Sequence, residues 1–265
     1  MLQRPLLPAL LVCAAATACD GNAQPVQATL LTSVSPAHCV ASLAGRTAAD
    51  PLRCPGALRA ALVLAETICR EAGGKLAGAD QGLVFAMDVN DDGRDELAFD
   101  LEGNASCEDA WSVFSCGSLG CPKALYELRD GEWAVIGQLS ATVPEEVTLA
   151  PRPARDGYRT LEVCAPQDCT ERWIYEWLGT AYDATRVEVR GARVDVAGSI
   201  HGLYSLVAAT TVSAAPAAGA PEVGRYDMGT DVAILGTLEG GEYYYVSPCN
   251  ACESGFVPKA AVAVR

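Results

Sequence analysis

The sequence predicts an α+β protein, mainly antiparallel β with one N-terminal helix, clipped by disulfides and followed by a small C-terminal β-barrel. Three observations carry this expectation. Only one stretch, with Leu58, Ala61, Leu62, Ala65, Ile68, Cys69 and Ala72, repeats apolar residues at three-and-four spacing, the period of one face of a helix. The other apolar residues fall in short runs punctuated by Gly, Asp, Asn and Pro, as strands joined by turns do. Finally, 12 cysteines in 265 residues suit an oxidising compartment, where they staple a chain instead of holding metal.

A hydrophobic content of 50% is enough for a substantial core in one large or two medium domains. The net charge of -14 leaves no basic surface to neutralise phosphates, which argues against nucleic acid as a partner.

At the N-terminus, MLQRPLLPALLVCAAATACDGNAQ has one positive charge at Arg4, an apolar run from Leu6 to Ala16, and small residues before Cys19. That is an export signal, too short for a permanent span. Ala16-Thr17-Ala18-Cys19 resembles a bacterial lipobox, with alanine where the family usually has leucine. The resemblance implies a signal over 1–18, lipidation of Cys19, and contact with a membrane only through that anchor. Ordinary signal cleavage after Ala23 is the alternative. Either route leaves Cys39, Cys54, Cys69, Cys107, Cys116, Cys121, Cys164, Cys169, Cys249 and Cys252, an even set that disulfides can exhaust.

Residues 19–55 lack periodicity, and a Cys39 to Cys54 bridge would order part of them. His38 beside Cys39 invites a nucleophile reading, yet neighbouring side chains on extended backbone point apart. From Gly56 the amphipathic helix runs to Gly73-Gly74, which stop it. Cys69 falls on its apolar stripe, so a bond to Cys107 would pin helix to sheet. Closing that 39-residue loop is worth about 3.9 kcal/mol on the chain-entropy model, against about 2.2 kcal/mol for a Cys116 to Cys121 loop.

The densest chemistry lies in Asp88-Val89-Asn90-Asp91-Asp92-Gly93-Arg94-Asp95-Glu96, between strand-like runs at Leu83 to Met87 and Leu97 to Leu101. Side-chain oxygens stand at the first, third, fifth and ninth positions, with glycine at the sixth to allow the bend. Calcium takes six or more oxygens, and such a loop can gather them. Phe99 at the twelfth position excludes a standard EF-hand. The segment resembles the nine-residue calcium-binding hairpin of FG-GAP and VCBS-type repeats. That resemblance implies side-chain ligation by Asp88, Asn90, Asp92 and Glu96 and a main-chain carbonyl from Arg94. Those families repeat the motif around a propeller, whereas this chain carries it once. A solvated, metal-free acidic turn is the alternative.

Cys116 to Cys121 and Cys164 to Cys169 share a four-residue gap. With strand-like runs at Ala124 to Leu128, Trp133 to Ile136, Thr160 to Val163 and Trp173 to Trp177, they suggest two related β-units, each with a clipped hairpin. This part resembles uncharacterised proteins exported by proteobacteria, a likeness that implies no activity. Val187 to Val196, alternating about Gly191, closes an α+β domain over 56–200.

Residues 207–265 follow as a separate unit, expected to fold alone. The Ala/Pro loop Ser213 to Pro221, the turn and strand Gly229 to Gly236, Tyr243-Tyr244-Tyr245-Val246, and Gly255-Phe256-Val257-Pro258 resemble, in order, a bacterial SH3-type domain (SH3b-like). The resemblance implies a five-stranded barrel and an interaction module for cell-wall peptides or envelope proteins, with Tyr243 and Pro258 in any ligand groove. Ala261 stands where eukaryotic relatives have an aromatic, which argues against polyproline recognition. The tyrosines read equally well as core and strand surface. Cys249-Asn250-Ala251-Cys252 has redox spacing but follows Pro248 in a loop beside Glu253, so a structural clip is expected.

No catalytic pattern emerges. There are two histidines, and no phosphate-binding glycine loop or GxSxG; Cys116-Gly117-Ser118-Leu119-Gly120 lacks the first glycine. The sequence thus points to an exported protein of the periplasm or outer surface, acting by binding and not as an enzyme. A cell-wall hydrolase that uses carboxylates and is targeted by the SH3-like unit is the alternative.

Overall fold

A computed structural model describes residues 55–79, 84–101, 105–114, 121–141, 146–165, 169–196, 204–238, 241–248 and 254–264. The export signal, His38, His201, Cys19, Cys39, Cys54, Cys116, Cys249 and Cys252 lie outside them. The protein is mostly β-sheet, rich in antiparallel pairing, with one helix among the described residues. No described helix is long and apolar enough to cross a membrane.

The helix α1 spans Pro55–Glu71, where the spacing places it. It buries Ala57, Ala61, Leu64, Ala65 and Cys69. Its end is a Schellman cap: Gly73 adopts φ 82°, its amide donates to the Arg70 carbonyl, and the Gly74 amide donates to that of Cys69. A side chain at Gly74 would meet the Glu108 carbonyl at 2.4 Å, so glycine is also what lets the chain leave the helix this close to its neighbour strand.

That neighbour is β4 (Ala105–Glu108), paired antiparallel with β1 (Lys75–Ala79) in a two-stranded sheet. Cys69 and Cys107 form a disulfide with Cα atoms 5.7 Å apart, the predicted pin between helix and sheet. Around it a first core gathers the buried face of α1 with Leu97, Phe99, Leu101, Phe114 and Tyr126.

The large sheet begins as a meander of β2 (Val84–Met87), β3 (Glu96–Asp100), β5 (Cys121–Arg129) and β6 (Glu132–Ala141). A second meander holds β7 (Val147–Arg155), β8 (Tyr158–Ala165), β9 (Glu171–Trp177), β10 (Tyr182–Val189) and β11 (Ala192–Asp195). The two join where β10 runs parallel to β6 at Tyr182 and Gly137. Strand β7 contains Pro151 and Pro153 and, among the described residues, pairs only with β8, an edge position that suits residues without an N–H. Asp130-Gly131, Asp156-Gly157 and Arg190-Gly191 all have positive φ. They make the two-residue hairpin turns that match strand twist. Cys164 and Cys169 are bonded across the β8–β9 connection, as the spacing suggested, and Cys121 is also disulfide-bonded.

The C-terminal strands are β12 (Tyr204–Leu206), β13 (Thr210–Ser213), β14 (Glu222–Tyr226), β15 (Asp231–Thr237), β16 (Tyr243–Pro248), β17 (Gly255–Pro258) and β18 (Val262–Val264), with a 3-10 turn at Lys259–Ala261 before the last. Their pairing runs β14-β13-β17-β16-β15-β12-β18, an open path among the described residues. Two contacts tie these strands to what precedes them. First, β12 lies before residue 207, yet it pairs with both β15 and β18 and sends Leu206 into their core.

Second, β15 pairs with β11 through Thr237 and Asp195. A side chain on Gly236 would meet Val194 Cγ1 at 2.6 Å and the Asp195 carbonyl at 2.9 Å, so glycine permits the close approach. Strand alternation turns Val246 and Val257 toward Leu206, Val212, Val232 and Ile234. The same alternation sends Tyr245 and Phe256 into a second core with Trp173, Val187, Val189 and Val194. Strands β16 and β17 are thus buried on both faces.

Candidate functional site

Three hairpin ends and the acidic turn meet at one end of the large sheet. The turn fills the gap between β2 and β3, whose register pairs Met87 with Glu96. Within it, side-chain oxygens organise the backbone. The Gly93 amide donates to Asp88 Oδ2 at 3.1 Å, the Asp92 amide to Asn90 Oδ1 at 3.1 Å, and the Arg94 amide to Asp92 Oδ1 at 2.8 Å. Asp91 and Gly93 adopt positive φ. The predicted residues Asp88, Asn90 and Asp92 therefore share one loop, and Glu96 closes it from the first position of β3 with Oε2 accepting the Val89 amide at 2.9 Å.

The electrostatics are unfavourable for the free turn. Glu96 is only 2% exposed. Burial, opposed by the Val89 hydrogen bond and reinforced by Glu127, Asp92 and Asp88, pushes its carboxyl from the usual 4.5 up to about 8. Asp95 is raised by burial and by Asp88. Among the described residues Asp88 Oδ1 is buried with no hydrogen-bond partner, an arrangement that costs free energy unless something electropositive reaches it.

The other hairpins brace this turn from outside. On β8, the Arg159 amide donates to the Val89 carbonyl at 2.7 Å, and its guanidinium pairs with Asp91. The Tyr182 hydroxyl donates to the Arg159 carbonyl at 2.7 Å. On β5, Glu127 accepts from Asn90 Nδ2 at 3.1 Å and pairs with Arg129. The Tyr158 hydroxyl lies 3.0 and 2.9 Å from the two Glu127 oxygens, and Arg129 Nη2 donates to it at 3.1 Å. Tyr158 stacks on Trp177 with centroids 3.9 Å apart, and Tyr182 meets both rings edge-on. The Arg129 guanidinium sits 5.4 Å from the Trp177 centroid, a cation–π contact.

Sequence reasoning missed Glu127, Arg129, Tyr158 and Arg159. The available signal was the Asp-Gly pair at 130–131 and again at 156–157, whose turns carry these residues to the same end of the sheet.

Among the described residues no group of three or more His, Cys, Asp or Glu side chains could hold a metal ion. The expected set contains three carboxylates, Asp88, Asp92 and Glu96, which do not form such a group, together with the Asn90 amide and the Arg94 carbonyl. By donor type these oxygens are of the kind calcium takes, and Asp88 Oδ1 is buried without a hydrogen-bond partner among the described residues.

The expected groove pair sits elsewhere. Tyr243 and Pro258 are direct cross-strand partners, but Tyr243 is half-buried and packs on the second core, while Pro258 is exposed. Tyr244 points the other way, with Lys259 Nζ 5.3 Å from its ring centroid. Comparisons with known proteins give no match to a family model, a curated protein or a solved structure.

Proposed function

We propose that this is an exported, envelope-associated binding protein whose turn at 88–96 is completed by calcium. Asp88, Asn90, Asp92 and Glu96 supply side-chain oxygens, and Arg94 its carbonyl. Bound calcium offsets the mutual repulsion of Asp88, Asp91, Asp92, Asp95 and Glu96 and ties the four hairpin ends together. The observation that carries this reading is the buried, unpartnered Asp88 Oδ1 beside a fully buried Glu96.

The proposal extends to the rest of the chain. Cys19 anchors the protein by lipid in the periplasm or at the outer surface, a compartment consistent with the disulfides. The C-terminal strands are an SH3-like interaction unit for an envelope protein or cell-wall peptide. Support comes from their pairing order and the 3-10 turn before the last strand. Incubating the exported protein with purified sacculi, with and without calcium, and assaying released muropeptides tests the reading. Calcium-dependent retention without release is expected. Muropeptide release would favour the hydrolase alternative, and no retention in either condition would remove the cell wall as the partner.

A further inference from the structure

A thiol must reach a disulfide sulfur before it can exchange with it, and the two described disulfides differ in that respect. Cys69 and Cys107 are 0% and 3% exposed, inside the first core where α1 meets β4. Cys164 and Cys169 are only half-buried. Strand alternation gives the reason: Leu161 and Val163 of β8 enter the second core, so Cys164 shares the opposite face with Glu162. Its cross-strand partner on that face is the exposed Arg172.

The clip also sits where its opening would be felt. Cys169 adopts φ 56°, a left-handed conformation uncommon outside glycine, and β9 begins two residues later at Glu171. Between them the Thr170 carbonyl accepts the Arg190 amide at 3.2 Å, which ties the turn between β10 and β11 to this corner. The Glu171 carboxylate accepts from Trp173 Nε1 at 3.4 Å, and Trp173 packs with Tyr245 and Phe256 in the second core. A partly exposed bond is thus linked through β9 to the core shared with the C-terminal strands.

We infer that the Cys164–Cys169 clip is a thiol-exchange site for an external dithiol, which frees the start of β9 while Cys69–Cys107 stays closed. One thiolate of the dithiol attacks a clip sulfur, forming a mixed disulfide and expelling the other cysteine as a thiolate that takes up a proton. The second thiol of the dithiol then loses its proton and attacks its neighbour in the mixed disulfide, and the remaining cysteine leaves and is protonated. The clip ends as two thiols and the dithiol as a disulfide. The calcium and SH3-like readings play no part in this.

The test treats the full, folded chain briefly with dithiothreitol and then with an alkylating agent, and reads the labelled peptides by mass spectrometry. Cys164 and Cys169 should be labelled at least about tenfold faster than Cys69 and Cys107, which must wait for α1 to open from β4. Denaturant should remove most of that gap. Equal rates in the folded protein, or earlier labelling of Cys69 and Cys107, overturn the inference. Hydrogen exchange on the Cys164→Ser, Cys169→Ser variant reads the second half of the claim. Peptides covering 169–173 and 190 should exchange at least about tenfold faster than in the parent, with α1 and β4 unchanged. Unchanged exchange at the start of β9 overturns the inference. If the variant does not fold, the parent with its clip reduced and alkylated gives the same readout.

Discussion

The turn end of the large sheet and the seam between β11 and β15 are both places where distant segments meet, and they are held by opposite physics. At the turn, charged and polar groups do the joining: Arg159 to Asp91, Asn90 to Glu127, and Tyr158 to Glu127. Glu96 is buried near other carboxyls, and an Asp88 oxygen has no partner among the described residues. At the seam, Tyr245 and Phe256 are wholly buried against Trp173, Val187 and Val194, and the ladder contributes one pair of residues. Polar joints respond to pH and cations through the charge they hold. Apolar joints respond to lost volume. One chain thus carries a joint governed by charge and another governed by buried volume.

The seam should give the largest mutational effect. Phe256→Ala should cost about 3–5 kcal/mol, and urea unfolding should show the same loss in calcium and in chelator. A loss that appears only in chelator would mean that the two joints are coupled. Next in size, replacing Cys69 and Cys107 by serine should cost about 3.9 kcal/mol on the chain-entropy model, against about 2.2 kcal/mol for the same change at Cys164 and Cys169. Equal losses would show that strain or packing, not loop length, governs these staples.

A smaller effect sharpens the contrast at the turn. The Glu96 carboxyl sits near 8 in the folded protein against its usual 4.5. Between those values the folded state keeps a proton that the unfolded chain has released, so stability is full below the lower value and falls as pH rises toward the upper. The slope approaches about 1.4 kcal/mol per pH unit. Denaturation of the calcium-free protein from pH 5 to 8 should show this decline, and Glu96→Gln should flatten it. An unchanged slope in the variant would place the linked proton elsewhere.

Local features were legible in the sequence and long-range ones were not. The three-and-four spacing located α1, and Cys69 on its apolar stripe led to Cys107 as the sheet cysteine that would pin the helix. The flanking runs located β2 and β3 on either side of the acidic turn. The dipeptides Asp130-Gly131 and Asp156-Gly157 carry the signal for the turns there, but the approach of Glu127, Tyr158 and Arg159 to the acidic turn was missed. The seam was not readable. Alternation shows that Tyr245 and Val246 face opposite ways, but no local pattern says that Tyr245 meets Trp173 and Val187, more than fifty residues earlier. Nor does the motif show that Tyr243, which resembles a groove residue by its position, is half-buried against the second core.

The most direct measurement is the melting temperature of the full exported protein with calcium, with magnesium and with chelator, alongside the Asp88→Ala, Asp92→Ala double variant. Calcium should raise the transition of the parent, since a ligand that binds only the folded state stabilises it by mass action. Magnesium, which demands a stricter octahedron and gives up water reluctantly, should raise it less. The double variant should lose the calcium shift while keeping the seam intact. A parent that melts at the same temperature in calcium and chelator, or a double variant with an undiminished shift, would contradict calcium binding at this turn.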